Sequence, residues 1–257
     1  MQQVSHHGRT TTYDEFDRGG SGETVLFVHG SGGSRRLWKS QARLADEFPV
    51  VALDLSGHGG ASDTDASAGF ESLSAYADDV LAVADEVDAS VLVGNSLGGA
   101  VALHLLLERD AEFDGVVLAG TGAKLAVLDD LQGWLADDFE RAIEFLHGPD
   151  RLFHDPDPRL VELSKESMRA CGRAVTERDF LTCHEFDVRD ELDGLDVETL
   201  CVVGEHDRLT PPRYHDYLAD AMDGRVAVVE DAAHLTMLEQ PDAFNSALGR
   251  FVARVQE

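Results

Sequence analysis

Six short apolar runs constrain this chain more than any other feature: VLFV at 25–28, VVALDL at 50–55, VLV at 91–93, VVLA at 116–119, LCVV at 200–203 and VAVV at 226–229. Each is continuous rather than alternating, rich in β-branched residues and bounded by turn formers. A strand with one wet face alternates apolar and polar residues; a strand covered on both faces does not. Residues 37–47, 72–87, 97–108, 213–222 and 242–255 carry helical patterns between the runs. Pro211, Pro212 and Pro241 stand where helices start, because a missing N–H costs nothing there. The alternation predicts an α/β fold with a mostly parallel, doubly wound sheet. Residues 10–17 alternate and are expected to form an antiparallel edge strand.

One stretch breaks the rhythm. Residues 120–199 hold no convincing strand. Leu128, Leu131, Leu135, Phe139, Ile143 and Leu146 recur at steps of three or four, the pattern of one amphipathic helix. The segment HDPDP at 154–158 interrupts, and 160–171 and 176–186 again look helical. The expected organisation is a core domain made of 1–123 and 191–257, with a helical lid at 124–190.

The chemistry starts at Gly94-Asn95-Ser96-Leu97-Gly98, which lies between the 91–93 strand and the 97–108 helix. In that setting G-x-S-x-G places a serine on a sharp turn at the carboxyl edge of the sheet. Gly94 and Gly98 leave room for strand and helix to approach, and the helix N-terminus adds partial positive charge beside a developing oxyanion. A serine needs a base and a group that orients the base. Asp207 follows the 200–203 strand, and His234 follows the 226–229 strand. All three then stand beyond the carboxyl ends of strands, where sites in such sheets form. The oxyanion hole needs two backbone amides. Leu97 supplies one; Ser31, in the HGSGG loop at 29–33, is the choice for the second, with Gly30 and Gly32 as near alternatives.

The HGSGG loop, the DLSGHG segment at 54–59, the elbow at 94–98, GEHD at 204–207 and His234, in this order, resemble a serine hydrolase of the α/β-hydrolase fold over nearly the whole chain. The resemblance implies Ser96 as nucleophile, Asp207 as acid, His234 as base and amide donors near Ser31 and Leu97, with no cofactor. Carboxylic ester hydrolysis through an acyl-enzyme is the leading expectation. The same triad also serves C–C bond hydrolases, thioesterases and cofactor-free perhydrolases, and some members of the fold are binding proteins with the triad idle. The lid matches no particular substrate family. Leu128, Leu131, Trp134, Leu135 and Phe139 are expected to face the mouth and favour an apolar group.

Rival readings are weaker. Asp54 also ends a strand, but it precedes the serine and fits a structural Asp-x-x-Gly-His-Gly turn. The loop after 116–119 offers no carboxylate. Residues 30–35 and 120–125 both lack the last glycine of G-x-G-x-x-G, and there is no GK[ST], so no nucleotide site is expected. Eleven histidines show no paired metal-ligand spacing, and no metal is expected. His29 and His58 read as loop-structuring residues.

The charge narrows the partners. The chain of 257 residues carries 30 Asp, 19 Glu, 18 Arg and 3 Lys, a formal net charge of −28. Such a surface repels itself in dilute buffer, and salt screens the repulsion. Scattered carboxylates with few lysines resemble the proteins of extreme halophiles. Nucleic acid is excluded for want of a basic surface. No apolar run nears the roughly 20 residues that cross a bilayer, and MQQVSHH at the start is no secretory segment. Three cysteines without a CxxC pair fit a reducing compartment. The expectation is a soluble cytoplasmic enzyme acting on a small acyl substrate.

Overall fold

The computed structural model describes residues 1–109 and 111–256. Eight strands form one sheet: β1 (Gln2–His6), β2 (Arg9–Phe16), β3 (Thr24–Val28), β4 (Val50–Asp54), β5 (Ala89–Asn95), β6 (Gly115–Ala119), β7 (Glu198–Gly204) and β8 (Arg225–Val229). Their spatial order is β1-β2-β4-β3-β5-β6-β7-β8. Strands β3 to β8 pair in parallel, whereas β1–β2 and β2–β4 are antiparallel. Every apolar run of the sequence therefore became a strand. Residues 10–17 also did, but β2 is not at the edge. β1 covers it, and its residues QQVSH are too polar and too exposed to signal a strand.

Helices cover both faces, and two apolar cores result. Helices α1 (Phe70–Val87), α2 (Leu97–Glu108) and, further along the chain, α7 (Pro212–Ala221) pack on one face around Tyr76, Leu103 and Leu218. The last helix, Pro241–Val255, covers the other face with Phe244, Leu248 and Phe251. The helix expected over 37–47 is instead two 3-10 turns, Arg35–Trp38 and Gln41–Asp46. Tertiary anchoring outweighs local propensity here. Trp38 is wedged between Phe27 and Phe244, with ring centroids at 5.0 and 6.0 Å, and Gln41 donates to Asn245 at 2.9 Å.

Between β6 and β7 lie α3 (Asp129–Asp137), α4 (Phe139–Leu146), α5 (Pro158–Cys171) and α6 (Arg173–Glu185). The single helix expected over 128–146 is thus two. Asp138 leaves helical geometry and accepts from the Arg141 amide, so it ends α3 and caps α4. The segment closes at its base: Lys124 and Asp187 form an antiparallel bridge and an ion pair at 2.9 Å.

The chain moves from β3 outward to β4, then crosses back to β5 on the other side of β3. In such sheets the crevice at this reversal, beyond the strands' carboxyl ends, is where ligands bind. The 29–33 loop leaves β3 there and Ser96 follows β5.

Candidate active site

Ser96 has φ 53° and ψ −115°, a left-handed backbone conformation that is costly for any residue but glycine. The surroundings hold it. Its amide donates to the Ala119 carbonyl at 2.9 Å, and its carbonyl accepts from the Thr121 hydroxyl at 2.9 Å. The turn is possible only because neighbours are bare. A Cβ on Gly94 would collide with the Gly98 carbonyl, and one on Gly98 with the Val28 carbonyl. Gly30 also passes closely; its Cβ would lie 3.1 Å from the Ser96 Cβ.

Asp207 is buried and heavily bonded. The Leu209 and Thr210 amides donate to Oδ1 at 2.8 and 2.9 Å, and the Thr210 hydroxyl donates to Oδ2 at 2.8 Å. His234 Nδ1 lies 2.9 Å from the same Oδ2. Burial alone would push the Asp207 carboxyl upward, but the facing imidazole and the Thr210 bonds outweigh it and hold the group below the usual carboxylate range. The His234 backbone is fixed too, through its amide on the Arg151 carbonyl at 3.2 Å. An Asp207 that accepts from Nδ1–H leaves Nε2 as the free basic nitrogen.

Ser96 and His234 line one cavity, but no hydrogen bond joins them in this structure. Catalytic hydrogen bonds are often long before substrate arrives. Of the amides considered for the oxyanion hole, Gly32 is committed: it donates to Asp179 Oδ2 at 3.1 Å. The Gly30 carbonyl accepts from the Gly33 amide at 3.1 Å, which leaves the Gly30 amide itself without a protein acceptor among the described residues. Among the described residues the amides of Ser31 and Leu97 also serve no protein acceptor; Leu97 follows Ser96 in the chain, and Ser31 lines the same cavity as Ser96.

His29 and His58 structure the 29–33 loop as expected, but the carboxylate that ties His58 to it, Asp179, was not visible in the sequence. His29 Nδ1 donates to the Gly30 carbonyl at 2.8 Å and its Nε2 accepts from the Leu55 amide at 3.1 Å, so the ring is neutral; burial lowers its pKa to about 4. His58 differs. Both nitrogens face acceptors, Ser56 O at 3.1 Å and Asp179 Oδ2 at 2.9 Å, which only an imidazolium satisfies. Burial opposes the charge, yet Asp179 raises the His58 pKa well above the ordinary value. Asp179 sits on α6 with no exposed surface and also accepts from the Tyr76 hydroxyl at 2.6 Å. The charge on His58 and these bonds overcome burial and keep its carboxyl low. One carboxylate from the inserted helices thus holds the loop that carries Ser31. A second support lies beneath the elbow. His215 Nε2 accepts from the Thr121 amide at 3.1 Å, and burial lowers its pKa to about 4.

Asp54, the rival acid, is fully engaged in structure. It accepts from Thr12 Oγ1 at 2.9 Å, from the Arg35 and Gly60 amides at 2.8 and 2.9 Å, and from the Arg35 guanidinium.

The cavity above Ser96 measures about 1320 Å³. Leu128 and Leu131 line it as expected, together with Met168 and Phe180. Trp134, Leu135 and Phe139 do not: Leu135 is buried in the core, Phe139 packs against it, and Trp134 packs on Phe145 and Arg141.

Comparison with known proteins fits this geometry. The model of the alpha/beta hydrolase family matches residues 25–247, and the chain belongs to that family. It is 32% identical to a pimeloyl-(acyl-carrier protein) methyl ester esterase of Neisseria meningitidis serogroup C, over 90% of this chain and 94% of that one. It is 26% identical to 3-oxoadipate enol-lactonase 2 of Acinetobacter baylyi, over 95% and 92%. The solved structure of a thermophilic esterase superposes with a TM-score of 0.85 at 27% identity, over 99% and 97%.

Proposed function

We propose that this chain is a serine carboxylesterase acting through an acyl-enzyme, with Ser96 as nucleophile, His234 as base and Asp207 as its orienting acid. His234 Nε2 takes the Ser96 proton as Oγ attacks the ester carbonyl. The amides of Ser31 and Leu97 stabilise the oxyanion, and Asp207 stabilises the imidazolium. Proton return from His234 releases the alcohol; water activated by His234 then frees the acid. The observation that carries this reading is the buried Asp207–His234 pair opening onto the same cavity as a serine on a strained turn. The relatives named as esterase and lactonase favour an ester over a C–C bond, a thioester or a peracid. A full set of reacting groups argues against an idle binding member.

Helices α3 to α6 act as a lid, residues 124–190, over a core of 1–123 and 191–257. The acidic surface suits a salt-rich cytoplasm. Among the described residues no helix is long and apolar enough to cross a membrane. The test is Ser96→Ala against p-nitrophenyl esters of graded chain length in molar salt. Turnover should fall by several orders of magnitude with the unfolding transition unchanged. Wild-type turnover in the variant would refute the assignment.

A further inference from the structure

The charges around the cavity run against the composition of the chain. Acids outnumber bases 49 to 21 overall. Yet the cavity is lined by six basic residues, Arg35, Arg36, Lys39, Arg151, Arg208 and Arg213, and by one acid, Glu166. An apolar cavity explains missing acids, but it would exclude bases equally. Two of the six are neutralised: Arg35 by Asp14 and Asp54, and Arg208 by Asp150. The Met1 ammonium at the rim pairs with Asp14. Arg36, Lys39, Arg151 and Arg213 have no carboxylate partner among the described residues, in a protein whose carboxylates are plentiful.

Arg151 is the least exposed of the four. It is half-buried, its guanidinium lies 3.7 Å from the Phe145 ring centroid, and it donates to the Phe145 carbonyl. Arg213 lies over the Tyr214 ring at 5.0 Å. Both line a cavity that also carries Leu125, Leu128, Leu131 and Phe180. A guanidinium held by an aromatic face keeps donors free for a carboxylate. The overall charge of −28 also repels anions, so a local basic ring is needed if an anionic substrate is to enter.

We infer that the substrate is an ester with an apolar middle and an anionic group, a carboxylate or a phosphate, held by Arg151 and Arg213 with Arg36 and Lys39 at the rim. This rests on the serine esterase reading, and the test separates the two. Two matched pairs set an anion on either side of the scissile bond: mono-p-nitrophenyl suberate against p-nitrophenyl octanoate, and 4-acetoxybenzoate against 4-acetoxybenzamide. At least one anionic ester should exceed its neutral partner in kcat/KM by on the order of tenfold, mainly through KM. Replacing the suberate carboxyl by a phosphate then distinguishes the two anions. Arg151→Gln with Arg213→Gln should erase that preference. So should Arg36→Gln with Lys39→Gln in part, on exposed positions that do not threaten folding. Arg250→Gln, remote from the cavity, should leave the ratio unchanged. If both neutral esters equal or outrun their anionic partners, the inference is overturned while the esterase reading stands. If no ester is cleaved and Ser96 resists a fluorophosphonate, both fall.

Discussion

Asp179→Asn replaces one oxygen of a fully buried carboxylate by an amino group and changes nothing in size. In the wild type, Oδ2 accepts from both the Gly32 amide and the His58 imidazolium. Asparagine's oxygen in that place can still accept from both, but it carries no charge to hold the imidazolium, and its amino group then meets the Tyr76 hydroxyl, which donates to Oδ1 at 2.6 Å in the wild type. With its oxygen there, a neutral His58 donates to only one of its two acceptors and faces the other with a bare nitrogen. With its amino group there, a donor meets the Gly32 N–H. Breaking a buried pair costs about 3–5 kcal/mol when the leftover charge stays. Here His58 can shed its proton, so about 3 kcal/mol is expected, or roughly 6–12 °C in unfolding temperature. The activity loss has a separate source. Gly32 follows Ser31, and a displaced oxyanion donor costs about 10²-fold in kcat. Initial rates with p-nitrophenyl acetate in molar salt, beside thermal unfolding, read both effects. Asp79→Asn is the comparison. Asp79 is equally buried and accepts from the Ser56 amide and hydroxyl at 2.7 and 2.9 Å, but makes no bond of its own to the 29–33 loop. It should lose stability with little loss of kcat. If Asp179→Asn loses stability but keeps wild-type kcat, the carboxylate does not position the loop and the reasoning is refuted.

Three further outcomes are expected. Thr210→Val removes a hydroxyl bonded to Asp207 at 2.8 Å and should cost about 1.5 kcal/mol in kcat/KM, about tenfold, measured on the same ester; an unchanged rate would contradict the role given to this bond. His58 has a raised pKa, so its contribution to stability is full below about pH 6.5 and lost as pH rises through the folded value; Asp179 and Asp207 are depressed, so theirs is present above about pH 3.9 and lost on acidification. Unfolding temperature against pH should therefore fall on both flanks, and Asp179→Asn should turn the alkaline fall into a rise toward neutrality, because an unpaired buried His58 titrates low. With 49 acids against 21 bases, unfolding temperature should climb between 0.1 and 1 M salt, over which the Debye length shrinks from about 10 to about 3 Å; a flat response would remove the self-repulsion argument.

The parallel sheet was legible because strands buried on both faces write continuous apolar runs. The elbow, Asp207 and His234 were legible because each sits in a short motif at a strand end. Other features depend on partners far away in the chain. β1 carries no apolar pattern and is a strand only because β2 offers it an edge. The 3-10 turns at 35–46 follow from where Trp38 and Gln41 find their partners, 196 or more positions distant in the case of Gln41. Asp138 splits one helix into two by capping, a local signal hidden within a longer amphipathic period. Asp179 looked like one more acid in an acidic helix; its role needs Gly32 and His58, 147 and 121 positions away. The same holds for the basic ring at the cavity, whose members come from the segment after the oxyanion loop, the α4–α5 connection and the start of α7.

The central claim is that Ser96 is the nucleophile activated by His234. Reaction of the folded protein in molar salt with a fluorophosphonate, followed by peptide mass spectrometry, tests it most directly. The account predicts a single adduct, on Ser96, with labelling strongly slowed in His234→Ala. No adduct, or an adduct on another serine such as Ser31, would contradict it.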